Sequence, residues 1–329
     1  MSIQPQVADH YNQIKQKTRG ERQASAIIGV KRFNNWVKSV LIHRYAATDA
    51  VVLDLCCGKG GDLAKFVKAN IRYYVGADHA SVSVKDALER YNELHPIPFL
   101  ATFICADCHA VKLSRALEPE FPRFDLVSCQ FALHYSFESE ARARMFSINI
   151  GERLKPGGYF VSTFPDSSIL QLKLRAAVAR QKAEAEEIRQ RALAELGVAA
   201  ASAVQHDSAE LKLEFGNSVY SVRFTSPCPF IESEEPFDES LPPPPPLPSS
   251  PFGVQYTFDL TDAISDCPEY LVHMPTLCSL LAEFDMELIY SAPLHQFFLE
   301  HSSHPEYARL MKQMKIMGSE VKKDLRLKH

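Results

Sequence analysis

Five short apolar runs alternate with helical patterns in the first half of the chain. The runs are VVLDL at 51–55, YYVGAD at 73–78, ATFICAD at 101–107, FDLVSCQ at 124–130 and GYFVSTF at 158–164. Helical patterns lie before and between them, in NNWVKSVLIHRY and around 61–69, 81–94 and 138–154. Because the runs are apolar on both faces, they are typical of a parallel sheet covered by helices on both sides. The sequence therefore predicts a doubly wound, mostly parallel α/β fold.

The pattern changes after Phe164. Residues 170–201, rich in Ala, Glu, Gln and Arg, predict a long polar helix within an insertion near 166–212. The other predicted elements are a strand at 217–224, a proline-rich loop near 241–251, a helix around 269–284, a strand at 286–290 and a charged helix at 304–317. We expect a single domain over 1–329 with its core at about 30–300.

The composition is that of a soluble globular protein. The 329 residues are 46% hydrophobic and 23% charged, which is typical of a soluble globular protein, and no run approaches the roughly 20 apolar residues that span a bilayer. We therefore expect no membrane partner. Eight unevenly spaced cysteines favour a reducing compartment.

Charge is unevenly distributed. The net charge of −4 argues against non-specific coating of nucleic acid, yet the eight cations within 15–44 are accompanied only by Glu21. Such a cluster suits a polyanionic ligand bound at one place; solvated helix faces are the ordinary alternative.

The stretch VVLDLCCGKGGDL, at 51–63, runs from a buried strand into a glycine loop. A nucleotide P-loop requires Ser or Thr after its lysine, and here Gly60 follows Lys59, so magnesium would lack its hydroxyl ligand. The dinucleotide fingerprint requires a third glycine or alanine where this chain has Leu63. Neither interpretation fits the loop.

Two acidic residues follow at the ends of the next predicted strands. Asp78, 20 positions after Gly58, is placed to accept hydrogen bonds from two ribose hydroxyls, and Asp107 is placed to accept one from an adenine amino group. A glycine loop, an aspartate for the ribose and an aspartate for the adenine, at the ends of successive strands, predict an adenosyl site without a pyrophosphate. This is the S-adenosylmethionine arrangement of class I (Rossmann-like) methyltransferases, and LKPGGYF at 154–160 fits the same order.

The cysteines near this site call for a metal hypothesis as well. CADC at 105–108 has the spacing of zinc ligands, but no second Cys-x-x-Cys pair follows, so we expect no metal. Cys56 and Cys57 are interpreted as small residues where the backbone passes the cofactor. A positive φ at Cys56 would cost about 1 kcal/mol.

Six motifs carry a resemblance to a known family. FNNWVKSVLI, DLCCGKGGDL, SVSVKDALERY, SCQFALHYSFES, LKPGGYF and CPEYLV together resemble the eukaryotic mRNA cap guanine-N7 methyltransferases. The likeness runs from about 10 to 300, apart from the insertion and the proline tract. It implies methyl transfer from S-adenosylmethionine to N7 of the GpppN cap guanine. It also implies a nuclear location and capped mRNA as partner, with other capping enzymes or the transcription machinery as further candidates.

The resemblance also implies roles for individual residues. On the cofactor side these are Lys38 for the methionine carboxylate, Asp78 for the ribose, Asp107 for the adenine, Gln130 and Tyr135 near the methionine end, and the backbone at Cys56. On the cap side they are Glu269 facing the N1–H and N2–H₂ edge of guanine, His134 facing O6, Lys59, Lys65 and Arg90 for the triphosphate, and Asn34 and Asn35 lining the groove. No general base is expected, because guanine N7 already carries an in-plane lone pair.

Each assignment has an ordinary alternative, and the function has two. A strand-end histidine is often structural, Glu269 could cap a helix, and Lys65 and Arg90 could be solvated charges. The chain could be a catalytically inactive protein that binds the cap or RNA, or a methyltransferase that acts on a small molecule. Intact Asp78, Asp107 and Lys38 argue against the first, and the basic groove with Glu269 argues against the second.

The end of the chain departs from the family pattern. Family members end on a hydrophobic strand that carries a tyrosine facing the cap, whereas this chain stops at GSEVKKDLRLKH. We expect the sheet to lack the strand between GYFVSTF and MELIY, with exposed edges and a truncated product or incomplete gene model as the cause.

Overall fold

The computed structural model describes residues 12, 19–196, 211–225 and 250–316. The chain divides into two units, one of residues 1–164 with 274–329 and one of residues 165–273. The single domain with an insertion stays a prediction.

The strands and helices of the described residues are as follows. The strands are β1 Val51–Leu55, β2 Tyr73–Asp78, β3 Leu100–Cys105, β4 Phe124–Gln130, β5 Leu154–Thr163, β6 Glu214–Gly216, β7 Tyr220–Phe224, β8 Gln255–Leu260 and β9 Ile264–Tyr270. The α-helices are α1 Arg19–Ala24, α2 Ile28–Tyr45, α3 Leu63–Lys68, α4 Ser81–Asn92, α5 Glu140–Gly151, α6 Ser167–Leu196, α7 Met274–Ala282, α8 Leu294–His301 and α9 Pro305–Gln313. Two short 3₁₀ helices span Leu113–Ala116 and Leu133–Glu138. No helix in these ranges is long and apolar enough to cross a membrane.

The first unit is built on a five-stranded parallel sheet. Its strand order is β3-β2-β1-β4-β5, and all five residues of β1 are buried. The order reverses between β1 and β4, so connections leave in both directions and helices cover both faces. The predicted doubly wound α/β fold is confirmed. A crevice forms at such a reversal, outside the carboxyl ends of the strands.

Two apolar clusters hold this unit together. One packs β1 and β4 against α3, with Val52, Phe66 and Leu126 fully or almost fully buried. The other packs α2 against α8 and α9, around Trp36, whose ring is fully buried. The indole Nε1 donates to the Tyr307 carbonyl at 3.0 Å, so the contact is polar as well as apolar. The Trp36 cluster therefore fixes the helix that carries Asn34, Asn35 and Lys38.

The second unit is an antiparallel sheet with one long helix. The strand order is β6-β7-β8-β9, and Leu174 and Val178 of α6 pack against Val222 and Tyr256. The long helix predicted over 170–201 is confirmed over Ser167–Leu196, and the strand predicted at 217–224 is confirmed as β7. Most of the predicted proline-rich loop near 241–251 lies outside the described residues.

Two predictions for the last third of the chain were wrong. The helix predicted from 269 begins at Met274, because the preceding residues pair with β8 as β9, with Tyr256 opposite Glu269. The segment 286–290 forms no strand, and Leu288 and Ile289 are 59% and 61% exposed. A strand needs a neighbour for its backbone groups, and β5 is the last strand of the described sheet on that side. Residues 317–329 lie outside the described residues, so the predicted lack of the family's last strand stays a prediction for that segment.

Replacing the indole tests the Trp36 cluster. We expect Trp36→Phe to lower the free energy of unfolding by about 2–3 kcal/mol, because it leaves a cavity and a buried Tyr307 carbonyl without its donor. Urea unfolding followed by circular dichroism measures the change. Val30→Ala, at an exposed position of the same helix, is the control and should change it by less than about 0.5 kcal/mol. Equal stability of Trp36→Phe and the native chain would contradict the packing described.

Candidate functional site

The glycine loop after β1 turns sharply beside the carboxyl end of β2. Cys56, Gly58 and Gly60 have φ values of 56°, 53° and 66°. A Cβ on Gly60 would lie 2.7 Å from Leu63 Cδ1 and 3.2 Å from the Ala87 Cα, so these neighbours would have to shift to admit a side chain. At Gly58 an added Cβ would meet no atom within 4 Å, so one side of the loop is open. An open backbone loop of this kind lets a ligand approach the main chain closely.

The cysteines of the loop face into the protein. The Cys56 thiol interacts with the thiols of Cys108 and Cys129 and lies 3.9 Å from His109 Nε2. The positive φ considered for Cys56 is present, and its side chain is accommodated among other small groups. Burial raises the pKa of the Cys57 thiol well above its ordinary value, so this thiol is neutral at pH 7. Within the described residues no group of three or more His, Cys, Asp or Glu side chains could hold a metal.

Asp78 ties the loop to the end of β2. Its Oδ2 accepts the Gly58 N–H at 2.8 Å and its Oδ1 accepts the Ala80 N–H at 2.8 Å. Burial raises the pKa of this carboxyl, although both N–H groups oppose the shift. Each carboxylate oxygen has a second lone pair. The carboxylate can therefore accept two further hydrogen bonds, which fits the neighbouring hydroxyls of a ribose.

Asp107 lies two residues beyond β3 and is bonded on several sides. Its Oδ1 accepts the His109 backbone N–H at 2.9 Å, and Arg142 Nη2 contacts both carboxylate oxygens at 3.0 and 2.8 Å. Although burial opposes ionisation, the hydrogen bonds from His109 and Arg142 hold the pKa of Asp107 well below its usual range. Asp107 is therefore an anion that only accepts hydrogen bonds.

A chain of polar contacts joins α2 to the start of α3. Lys38 Nζ lies 2.8 and 3.0 Å from the two oxygens of Asp62. Lys65 Nζ lies 2.6 Å from Asp62 Oδ1 and donates to Asn35 Oδ1 at 3.2 Å. Although burial opposes it, the two lysines lower the pKa of Asp62. Three residues with predicted roles, Asn35, Lys38 and Lys65, thus meet around one carboxylate.

Asp62 was missed in the sequence, although a signal was present. It is the last residue of the Gly-Lys-Gly-Gly-Asp motif. The motif alone does not show that the Asp62 carboxylate contacts Lys38 and Lys65. Asp54 was missed for a similar reason. It lies within β1, is only 2% exposed and accepts the Tyr74 hydroxyl at 2.9 Å. Burial and the charge of Asp62 raise the pKa of Asp54 to about 7, although Tyr74 and Lys38 oppose the shift.

The other predicted residues of the first unit lie on three elements. Lys59 Nζ pairs with Asp86 Oδ2 of α4 at 2.8 Å, and Arg90 is in the last turn of that helix. At the end of β4, the Gln130 side chain contacts Ser128, Val161 and Thr163 of β4 and β5. His134 and Tyr135 are buried in a 3₁₀ helix, with ring centroids 4.3 Å apart. Asn34 precedes Asn35 on α2.

Glu269 lies in the second unit, on β9. Its side chain is 3% exposed, and Oε2 accepts the Tyr256 hydroxyl at 2.7 Å. Burial, followed by the charge of Glu269, raises the pKa of Tyr256 well above its ordinary value, so the hydroxyl stays a donor. Since Glu269 is in a strand, the alternative that it caps a helix is wrong. Its role toward guanine stays a prediction.

The carboxyl ends of four adjacent strands thus carry the open loop, Asp78, Asp107 and Gln130. Comparison with known proteins decides the family. The family model for the mRNA (guanine-N7)-methyltransferase domain matches residues 1–189 and 198–328. The chain belongs to this family.

Curated members of the family show the same extent of likeness. The chain is 40% identical over 319 residues to mRNA cap guanine-N7 methyltransferase 1 of Arabidopsis thaliana, covering 95% of this chain and 73% of that protein. It is 35% identical over 323 residues to the mRNA cap guanine-N7 methyltransferase of Schizosaccharomyces pombe, covering 97% and 76%. For that of Saccharomyces cerevisiae the identity is 36% over 299 residues, covering 89% and 59%. The resemblance seen in the six motifs is confirmed.

The pKa of Asp54 predicts a distinctive pH dependence of stability. Between pH of about 4 and about 7 the folded chain keeps a proton on Asp54 that the unfolded chain has lost, so this group lowers stability as the pH rises. Asp54→Asn is neutral throughout. We expect the stability of Asp54→Asn relative to the native chain to rise by roughly 2–4 kcal/mol from pH 4 to pH 8, measured by urea unfolding.

The control is Asp49→Asn, at an exposed acidic residue whose positive φ suits asparagine. It measures the effect of replacing an exposed aspartate by asparagine, against which the result for the buried Asp54 is compared. Parallel pH profiles for Asp54→Asn and the native chain would contradict the high pKa of Asp54.

Proposed function

We propose that this chain transfers a methyl group from S-adenosylmethionine to N7 of the GpppN cap guanine of mRNA. The observation that carries the proposal is the open glycine loop bonded to Asp78, with Asp107 at the end of the next strand, in a member of the cap methyltransferase family. Bound cofactor supplies an electrophilic methyl group on a sulfonium. The residues of the chain supply position and charge.

The residues of the first unit fit the cofactor. Asp78 has acceptor capacity for the ribose hydroxyls, and the anionic Asp107 accepts from the adenine amino group. Lys38 has three N–H donors and reaches Asp62 with two contacts, so a third donor can reach the methionine carboxylate. Gln130 and Tyr135 lie beside the methionine end, and the backbone at Cys56 lines the open loop.

Methyl transfer to N7 requires no proton transfer at the nucleophile. The N7 lone pair lies in the plane of the base, so the chain acts by holding guanine in line with the methyl group and excluding water. We assign no residue as a general base. The rate enhancement then comes from orientation and from charges placed around the site.

The cap is held by acceptors, donors and cations. We assign Glu269 as the acceptor for guanine N1–H and N2–H₂ and His134 as the donor to O6. The triphosphate side uses three cations and two amides, which are Lys59, Lys65, Arg90, Asn34 and Asn35. Burial lowers the pKa of Lys65, although the charge of Asp62 opposes the shift. A partly desolvated cation of this kind interacts strongly with phosphate.

The proposed substrate implies a role in mRNA capping. N7 methylation completes a cap on nascent mRNA, so we propose a nuclear location. Other capping enzymes and the transcription machinery are candidate partners, and neither a metal nor a membrane has a role in the proposed reaction.

Labelled cofactor offered with three acceptors, GpppA-capped RNA, uncapped RNA and GTP, separates the proposed reaction from its alternatives. GpppA-capped RNA should be methylated at guanine N7, and uncapped RNA should not. A catalytically inactive cap-binding protein would label none of the acceptors, and a small-molecule enzyme would not distinguish capped RNA. Methylation of uncapped RNA alone, at a site other than N7, would overturn the proposal.

Asp78→Ala tests the cofactor site. Loss of the acceptor for two hydroxyls should weaken cofactor binding by about 2–4 kcal/mol in a calorimetric titration. The substitution also removes the acceptor of the Gly58 and Ala80 N–H groups, so thermal unfolding is measured alongside to show that the chain is folded. Glu89→Ala, on the exposed face of α4, is the control. Near-normal affinity in a folded Asp78→Ala chain would show that the ribose site is elsewhere.

Glu269→Gln tests cap recognition. The amide points a donor at a guanine donor and removes the charge that favours the cationic N7-methylated product. We expect kcat/KM for capped RNA to fall by roughly 10²- to 10³-fold, about 3–4 kcal/mol, with cofactor affinity unchanged. Glu214→Gln, exposed on β6 in the same unit, should leave both unchanged. Full cap methylation by Glu269→Gln, or loss of cofactor binding together with activity, would exclude the guanine-pocket assignment.

A further inference from the structure

A partly buried ion-pair network joins Asp107 to Arg142 and Glu138, two residues with no role in the proposed reaction. Arg142, in the first turn of α5, contacts both oxygens of Asp107 through Nη2, and its Nε lies 3.2 Å from Glu138 Oε2. The three side chains are only 12–14% exposed. The helix is itself fixed at this point, because the Ser139 hydroxyl accepts the Arg142 backbone N–H. Arg142 is thus held between two carboxylates at a defined position.

The two oxygens of Asp107 are not equivalent in this network. Oδ1 accepts the His109 backbone N–H as well as Arg142 Nη2, and the His109 ring Nδ1 lies 3.5 Å away. Oδ2 accepts from Arg142 Nη2 at 2.8 Å, and this is its one bond within the described part of the chain. A carboxylate oxygen can accept two hydrogen bonds. Oδ2 is therefore the oxygen with capacity for a ligand.

We propose that Arg142 is a positioning residue that makes the cofactor site selective for the adenine amino group. Arg142 orients Asp107 with Oδ2 available and keeps the carboxylate ionised, so the site offers an acceptor and no donor. A 6-amino purine meets that requirement, and a 6-oxo purine, which offers an acceptor at the same place, does not. This inference rests on the proposed function, since it concerns the adenine role of Asp107.

The alternative is a purely structural ion pair that joins α5 to the segment after β3. Removing one member of a buried ion pair leaves a charge uncompensated, so stability alone cannot separate the two roles. Ligand selectivity can separate the two roles, because a structural defect weakens the binding of every ligand of the pocket alike. The adenine amino group is therefore the variable to test.

The experiment compares two ligands by calorimetry, S-adenosylhomocysteine and its analogue with hydrogen in place of the 6-amino group. The native chain should bind the amino compound about 10- to 100-fold more tightly. In Arg142→Gln this ratio should fall to within about 3-fold, mainly through weaker binding of the amino compound. Arg144→Gln is the matched control, two residues along the same helix, where Arg144 pairs with Glu140 and Glu283 at the surface. Its ratio should equal that of the native chain.

Each other outcome has a separate meaning. Equal weakening of both ligands by Arg142→Gln, with the ratio kept, would overturn the positioning role. Equal binding of both ligands by the native chain would instead overturn the adenine assignment of Asp107. If Arg142→Gln does not fold, Arg142→Lys keeps a cation beside Asp107 but lacks the planar guanidinium that contacts Asp107 and Glu138 at the same time. The same fall in the ratio is then expected, and an unchanged ratio would overturn the inference.

Discussion

The two backbone hydrogen bonds that Asp78 accepts are the constraint on which the candidate site depends. A loop with positive φ at Cys56, Gly58 and Gly60 has no ladder partner of its own for the Gly58 N–H, and the Asp78 carboxylate supplies one at 2.8 Å. Because the acid closes the neighbouring parallel strand, the bond also sets the distance between the two strand ends. The same carboxylate therefore shapes the loop, and its proposed role toward the ribose would couple cofactor binding to the local fold.

Charge in the site is balanced within the protein. Lys38 and Lys65 would repel each other at the N-terminus of α3 without Asp62. The Asp62 carboxylate oxygens lie 2.6 to 3.0 Å from the two lysine Nζ atoms. The neighbouring Asp54 is deeper, and the charge of Asp62 together with burial makes its ionisation costly. Two carboxylates of one motif thus have opposite pKa shifts. The environment of each group, and not its residue type, decides which of them holds the cations in place.

The parallel sheet and the position of the acidic residues at its carboxyl edge could be predicted from the sequence, because both depend on local patterns. Apolar runs that end in Asp78 or just before Asp107 place those residues at one edge of any parallel sheet, whatever the details of packing. The second sheet was not predicted. The residues of β8 and β9 show no strand pattern when each segment is considered alone, and the end of β9 was assigned to a helix. The segment 286–290 has the composition of a strand, but composition does not supply the neighbour that a strand requires. Pair contacts such as Arg142 with Asp107, 35 positions apart, leave no periodic signal at all.

The loop also shows why a cysteine can stand where the family resemblance leads one to expect glycine. The cost of a positive φ is about 1 kcal/mol for a residue with a Cβ, which a packed side chain can offset. At Cys56 the Cβ is tolerated because the thiol turns inward, toward Cys108, Cys129 and His109. At Gly60 a Cβ would crowd Leu63 of the following helix and the backbone of Ala87, so the same substitution requires these neighbours to shift. Packing therefore favours glycine at Gly60, whereas position 56 accepts a side chain that is small and points away from the open face of the loop.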